Sequence, residues 1–594
     1  MILRGPPSPL PRHPTLVEAL HAAAAHPSGA TFVDLRERET FVPWREVRDR
    51  AARAAGALAA LGIRRGDRVA IVLRTEPAFL DAFFGAWLAG AVPVPLYPPV
   101  RLGRMEEWIE GTARMLRLAG ARLVVSGGAT RRLLGGAVER AAPDLGCRDV
   151  EELRGGGGGA APPRPEDLGL VQFSSGSTVA PKPVALTHRA LAAQVAALTA
   201  EIGPTSADAL VSWLPLYHDM GLIGALLGAM SYPGPLVLVA PEHFLARPAL
   251  WLRAVARHRG TISVAPSFAY AYCADRVADA DLDGCSLATW RWALDGAEPV
   301  SGDAMRRFAA RFGRWGFDPS ALVPVYGLSE AALAVTWGRR GAPLAGRRFD
   351  PARLARDGKA VAAPGPRGAG REILSVGVPV AGVDVALRGA RGEPVGEGRL
   401  GRIFVRSASL MVGYLGDPEA TARAVEGGWL DTGDLGFVVE GELHVHGRAR
   451  DLVIVRGANH APEEFEAALA GIQGLRAGGA VALGFEPEPG DAAEALLVLA
   501  ERARREPGAR DGALEAAVRR AIVERTGIAP HTVRLLAPGT LPRTSSGKLR
   551  RAEALRRFQE GTLAPPARVT PLRMAVAAAR SSLAFARARR RSRA

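Results

Sequence analysis

Two alternating hydrophobic patterns organise the first part of the chain. Val47–Gly62 carries its apolar residues at helical spacing, and Arg68–Leu73 is an unbroken apolar run of strand length. Phe79–Gly90 predicts a second, more apolar helix, and residues 91–97 predict another buried strand. Strand–helix alternation across residues 15–130 predicts a doubly wound α/β architecture. Residues 154–165 hold five consecutive glycines and three prolines, the composition of a flexible linker. Leu168–Phe173 predicts a strand that runs into a Ser/Gly/Thr loop, and His188–Ala200 is again helical. Gly221–Pro241 is long and uncharged, but Pro233-Gly234-Pro235 breaks it into a buried helix, a turn and a short strand, not a membrane span. Alternation continues to about residue 337. Short apolar runs between glycine turns then predict a small β-rich unit over residues 371–446. From Gly447 to about residue 560 the pattern suits a second, smaller α/β domain. The expected organisation is a large N-terminal domain (1–446), a C-terminal domain (447–562) and a basic tail (563–594), without internal repeats.

The length of 594 residues suits roughly four folding units. Hydrophobic residues at 48% and charged residues at 23% exclude a disordered chain. The net charge of +16 raises the question of nucleic acid or an anionic surface. Location answers it: residues 566–594 hold eight arginines and no acid, so half of the excess is in the tail. The body has no zinc-finger spacing and no basic stripe interleaved with aromatics, so nucleic acid is not an expected partner. Leu572–Ala586 has the spacing of a basic amphipathic helix suited to a membrane surface or an acidic carrier protein; a disordered tail is the alternative. Three cysteines without paired spacing argue against a disulfide framework and suit a reducing cytoplasm. The proline-rich N-terminus does not read as a signal peptide, and a cytoplasmic location is expected. Only 3 of the 76 basic residues are lysine: Lys182, Lys359 and Lys548.

Five motifs carry candidate chemistry. In the first, the strand Leu168–Phe173 ends in Ser174, Ser175, Gly176, Ser177 and Thr178, with Lys182 following. Hydroxyls, exposed amides and an ammonium make an anion nest for phosphates. The spacing is not that of a P-loop, and alone the segment also reads as a surface turn. In the second, Pro324–Glu330, Tyr326 beside Gly327 can stack on a flat base, and Glu330 can hold Mg²⁺ through oxygen. In the third, Asp295–Pro299, the backbone of Gly296, Ala297 and Glu298 can line a purine edge. The fourth joins Trp429–Asp434 to Gly447–Asp451. Asp434 can accept from both hydroxyls of a ribose diol, and Arg448 can reach the same sugar or a phosphate. In the fifth, Leu541–Arg550, Lys548 follows Ser-Ser-Gly on a loop that can deliver it to a site elsewhere. His444 and His446 share a strand face without a third ligand nearby and read as structural.

In this order and spacing the five motifs resemble the adenylate-forming superfamily of acyl-CoA synthetases, luciferases and peptide-synthetase adenylation domains, over residues 15–560. Pro95–Pro99, Trp213–Leu222, Phe244–Leu252, Gly296–Pro299 and Val455–His460 are most similar to fatty acyl-AMP ligases. Residues 346–372 fall about where those ligases carry an insertion that disfavours the CoA-using arrangement. One departure is Pro183, where the family loop usually has glycine after the lysine; proline removes an N–H donor there and fixes φ.

The resemblance implies a mobile C-terminal domain hinged near Arg450, ATP and Mg²⁺ as cofactors, and His218 as a wall or gate of the acyl pocket. It implies Lys548 as the catalytic cation, Tyr326, Gly327 and Gly296–Glu298 at adenine, and Asp434 and Arg448 at ribose. The implied reaction is fatty-acid activation to acyl-AMP, followed by transfer to the thiol of an acyl carrier protein or a polyketide synthase carrier domain. An acyl-CoA ligase shares every motif and remains the rival, with a silent binding protein behind it.

Overall fold

The computed structural model describes residues 1–100, 102–156, 162–174, 181–342, 344, 346–363, 370–455, 458–487, 495–503, 511–544 and 547–591. Its largest sheet has nine strands in the order Val378–Pro379, Ala334–Trp337, Leu322–Gly327, Trp292–Asp295, Ile262–Ala265, Leu210–Ser212, Leu236–Val239, Gly29–Val33 and Glu39–Pro43. The pairs from Leu322–Gly327 to Gly29–Val33 are parallel, and both edges are closed by antiparallel strands. A second parallel sheet orders Val92–Pro95, Arg68–Val72, Ala121–Ser126 and Cys147–Asp149. The alternation read from the sequence is therefore the doubly wound α/β architecture.

Small residues set the spacing of the helices. Trp44–Ala60 buries Trp44, Val47, Ala51, Ala54 and Leu58 against Pro77–Leu88. At their crossing a Cβ on Gly85 would lie 2.6 Å from Ala54 Cβ, so the glycine permits this close approach. The second helix begins on Pro77, where a missing N–H costs nothing.

The β-rich unit is built on Val383–Arg388, Gly401–Ser407, Trp429–Val439 and Glu442–Arg448. It also recruits Ile2–Arg4, which pairs antiparallel with Val383–Arg388, and the Met1 amino group donates to Val395 O at 2.9 Å. That partner lies across most of the chain, and no local pattern announces it. The expected linker departs from its reading as well. Val150–Gly155 is a 3₁₀ turn with Val150 and Leu153 buried, and a Cβ on Gly156 would lie 2.0 Å from Ala57 N. The glycine run thus starts inside packed structure; residues 157–161 lie outside the described residues.

The C-terminal domain has its own small sheet, Leu475–Phe485, Ala495–Arg502 and Thr532–Leu536, with separate apolar clusters on its two faces. It is tied to the N-terminal domain. Arg104 donates to Gly539 O (3.3 Å), Thr540 O and Ala564 O (3.0 Å each), and Arg557 pairs with Glu107 at 3.0 Å. Within the insertion, Arg347–Phe349 pairs with Arg371–Ile373, with the helix Pro351–Asp357 between them. The tail is not disordered over residues 571–591: it forms one helix seated on the helix Gly135–Ala141. Among the described residues no helix is long and apolar enough to cross a membrane.

Candidate active site

The five motifs converge on one cleft between the large sheet, the β-rich unit and the C-terminal domain. Tyr326 ends the strand Leu322–Gly327, where a bulge shifts the register between Tyr326 and Gly327. A Cβ on Gly327 would lie 1.8 Å from Leu333 O, so only glycine allows the turn. The bulge aims the Tyr326 hydroxyl across the cleft, where it donates to Asp434 Oδ2 at 2.7 Å. Asp434 and Arg448 are cross-strand partners, with Arg448 Nε 3.4 Å from Asp434 Oδ1. Burial pushes the Asp434 carboxyl up, against the pull of Arg448 and the Tyr326 hydrogen bond.

The loop after Trp292–Asp295 lies against the tyrosine strand. A Cβ on Gly296 would lie 2.6 Å from Val325 Cγ2. Ala297 adopts φ +70°, a left-handed conformation that costs a non-glycine residue energy. Glu298 Oε1 accepts from Phe268 N at 2.8 Å, fixing the loop to the next wall. Beneath it Asp295 is fully buried and accepts from Ser267 Oγ at 2.6 Å; Ser267 in turn accepts from Ser301 N at 2.9 Å. Burial raises the Asp295 carboxyl well above its ordinary range, against the Ser267 hydrogen bond.

Among the expected phosphate-loop residues, Ser175, Gly176, Ser177 and Thr178 lie outside the described residues. The flanks are clear. Ser174 N donates to Lys182 O at 2.9 Å, and Lys182 N donates to Ser174 Oγ at 3.3 Å, which closes the loop as a hairpin. Pro183 opens the strand Pro183–Thr187 opposite Phe173, and its carbonyl accepts from Leu415 N. The Lys182 ammonium lies 4.3 Å from the Tyr414 ring centroid, and Tyr414 Oη donates to Glu330 Oε1 at 3.0 Å. Burial raises the Glu330 carboxyl, with Lys182 and Arg448 among the charges opposing it. Among the described residues no group of three or more metal-ligating side chains occurs. A single carboxylate fits a Mg²⁺ that arrives on phosphates and keeps its waters, not a closed protein cage.

Lys548 reaches this cleft from the C-terminal domain. Its loop is pinned by Lys548 N donating to Thr544 Oγ1 (3.1 Å) and Thr544 N donating to Lys548 O (2.8 Å). Burial lowers the ammonium below the ordinary lysine range, and Asp219, Glu298 and Asp434 work against that shift. All three belong to the N-terminal domain and line the same cleft as the lysine. Arg450 lies in the turn Ala449–Asp451, between the last strand of the β-rich unit and the C-terminal domain. His218 lines the cleft, with Nδ1 3.2 Å from Asp219 Oδ1. Trp213, Leu245, Phe268, Tyr272 and Val300 give the same cleft an apolar lining, with Phe268 edge-on to Trp213 at 5.8 Å.

Sequence reasoning gave Asp219 no role of its own. Its Oδ1 also accepts from Met220 N at 2.8 Å, and its Oδ2 accepts from Ser329 Oγ. Burial alone would raise its carboxyl, but His218, Ser329 and the Lys548 charge hold it down to about 2. Tyr414 was missed too, since no motif marks it. His444 and His446 are buried. His444 Nδ1 lies 3.1 Å from Ile373 O and its ring stacks on Phe437, while Arg371 donates to His446 O at 3.0 Å.

The chain was compared with known proteins. The AMP-binding enzyme family matches residues 20–415. A putative acyl-CoA synthetase of Caulobacter vibrioides is 36% identical over 554 residues, covering 92% of this chain and 96% of that protein. A medium-chain fatty-acid–[acyl-carrier-protein] ligase of Moorena producens is 30% identical over 587 residues, covering 93% and 96%. A solved structure from a study of fatty acyl-adenylate ligases of E. coli and L. pneumophila superposes with a TM-score of 0.88 at 34% identity, covering 93% of this chain and 99% of that one.

Proposed function

The chain belongs to the AMP-binding enzyme family and is an adenylate-forming ligase, and on that premise we propose that it converts a fatty acid and ATP to acyl-AMP and pyrophosphate. It then passes the acyl group to the phosphopantetheine thiol of an acyl carrier protein or a polyketide synthase carrier domain. In the first step a carboxylate oxygen forms a bond to the α-phosphorus, and the bond to the bridging oxygen of pyrophosphate breaks. In the second the thiol sulfur bonds to the acyl carbon, AMP leaves, and the thiol proton passes to solvent.

The observation that carries this reading is that Lys548, from the C-terminal domain, lines the same cleft as Asp219, Glu298 and Asp434. Two anions must meet in the first step, and a compact ammonium can contact both the incoming carboxylate and the α-phosphate. The arrangement corresponds to the first half-reaction. Tyr326 and the loop Gly296–Glu298 take adenine, and Asp434 with Arg448 takes the ribose hydroxyls. Ser174 and Lys182 flank the phosphates, together with the loop between them. Glu330 would hold Mg²⁺, which supplies charge neutralisation on the phosphates. The apolar lining of the cleft, with His218 as its wall or gate, takes the acyl chain. Rotation about Arg450 then withdraws Lys548 so that the thiol can approach.

The relative named a putative acyl-CoA synthetase favours a second reading, in which free CoA accepts the acyl group. Mass spectrometry of products from a fatty-acid panel with ATP, with and without CoA and a holo carrier protein, tests both. Acyl-AMP with a carrier-bound thioester supports the proposal; efficient acyl-CoA formation replaces its second half. No acyl-AMP with any acid overturns it.

A further inference from the structure

The tail helix Pro571–Arg591 is apolar on two opposite faces, and among the described residues one of them is packed. The inner face is seated. Met574, Ala577 and Phe585 pack on the cluster around Val124, Leu134 and Val138, and Ser581 and Ala584 are buried. Gly135 N donates to Ser581 Oγ at 2.7 Å, and the Arg131 guanidinium lies over the Phe585 ring at 5.6 Å. The outer face carries Leu572 (74% exposed), Val576 (42%) and Leu583 (59%), with Ala579 and Ala586 also exposed. These five positions alternate three and four residues apart, the spacing of a heptad seam. Arg573, Arg580 and Arg587 follow at exact intervals of one heptad along one edge of that seam. Ala575 and Ser582 hold the other edge.

We infer that this outer face is a docking surface for an amphipathic helix of a partner protein, one with an apolar heptad seam and acidic residues beside it. The seam is narrow and lined by alanines at two of its five positions, which lets a second helix approach closely. A lipid surface calls for something else: bulky aromatic anchors and basic residues on both edges. Along the seam from Leu572 to Ala586 this face has no exposed aromatic and its arginines stand on one edge only, Arg589 joining the other edge beyond the last seam position. A second copy of the chain lacks the complementary charge, because residues 566–594 contain no acid. Arg573 and Arg580 on one edge select an acidic partner and steer its approach, while Arg587 further along pairs with Glu139 at 3.4 Å. The helix is already folded and seated, so a partner need not order it. The inference does not depend on the reaction proposed above.

The test measures binding of the full chain to two synthetic four-heptad peptides with leucine at the seam positions. One has glutamate on both edges, the other lysine. The glutamate peptide should bind at least about tenfold more tightly, and weaken as salt rises. The double variant Arg573→Glu, Arg580→Glu should reverse that preference, with its melting temperature and acyl-AMP formation unchanged. Val576→Ser with Leu583→Ser should weaken binding of the glutamate peptide by at least about tenfold. Equal binding of the two peptides, or a preference unmoved by charge reversal, overturns the inference. So does retention on phosphatidylglycerol vesicles without peptide binding, which would assign the face to lipid. A concentration-dependent dimer lost in the seam variant would assign it to a second copy and overturn it too.

Discussion

The Tyr326 hydroxyl donates to Asp434 Oδ2 at 2.7 Å, joining two motifs 108 residues apart across the cleft. On the proposed function, the bond holds the carboxylate that would take the ribose in place before nucleotide arrives. Removing it should therefore cost nucleotide binding more than chemistry. A hydrogen bond to a charged group contributes about 1.5–3 kcal/mol. Tyr326→Phe keeps a ring for adenine and should raise the KM for ATP by about tenfold, with kcat within about threefold. Asp434→Ala should raise it further. Fatty-acid-dependent pyrophosphate exchange measures both; an unchanged KM in Tyr326→Phe would remove the bond from nucleotide binding.

Lys548 supplies a pH signature. Burial lowers its ammonium below the usual lysine range, while Asp219 and Glu298 oppose that shift. Acyl-AMP formation should thus fall as pH rises through a value below that of an ordinary lysine. Asp219→Asn removes one opposing carboxylate and should move the fall to lower pH. Lys548→Arg, slower at every pH for lack of the compact ammonium, should show no such fall. Lys548→Ala should lose about a hundredfold or more, the scale of losing one positioned electrostatic donor. Single-turnover formation of acyl-AMP across pH reads all four; an alkaline limb that persists in Lys548→Arg would assign the titration to another group.

The strand–helix alternation was legible because buried parallel strands and amphipathic helices write their periods into the chain. The motifs were legible because glycine, hydroxyl and charged residues cluster where a backbone must approach a ligand. What stayed hidden is set by contacts distant in sequence. Ile2–Arg4 completes a sheet with Val383–Arg388, and nothing local in either segment requires it. Tyr414 becomes a site residue only because Lys182 and Glu330 flank it in space. Asp219 stayed hidden because the bond from Ser329, 110 residues away, has no sequence signature. The tail resisted for another reason: its helical spacing was visible, but the shelf it rests on, Gly135–Ala141, was not.

Asp219 also predicts an acid-sensitive contribution to stability. Its carboxyl is held at about 2 in the folded chain against 3.8 ordinarily. A depressed carboxylate stabilises the fold above its unfolded value, and that stabilisation is lost as pH falls through the folded one. The loss should amount to about 2 kcal/mol, spread over roughly pH 4 to 2. Urea unfolding across that range should show Asp219→Asn less stable than the native chain at neutral pH, with the gap closing on acidification. A constant gap would mean that the variant acts through packing instead of charge.

The seating of the tail can be broken at one atom. A Cβ on Gly135 would lie 2.0 Å from the Ser581 carbonyl oxygen, and that contact is backbone, which cannot swing aside. Gly135→Val should therefore unseat the helix and expose its arginines to protease in an unfolded segment. Ser581→Ala removes only the hydroxyl that accepts from Gly135 N, at a cost of about 1 kcal/mol, and should leave the helix seated. Limited trypsin digestion with mass analysis distinguishes the two. Gly135→Val should lose fragments cut after Arg573 and Arg580 well before the native chain does, and Ser581→Ala should resemble the native chain. Equal resistance in Gly135→Val would show that the helix is held by something other than its contact with Gly135–Ala141.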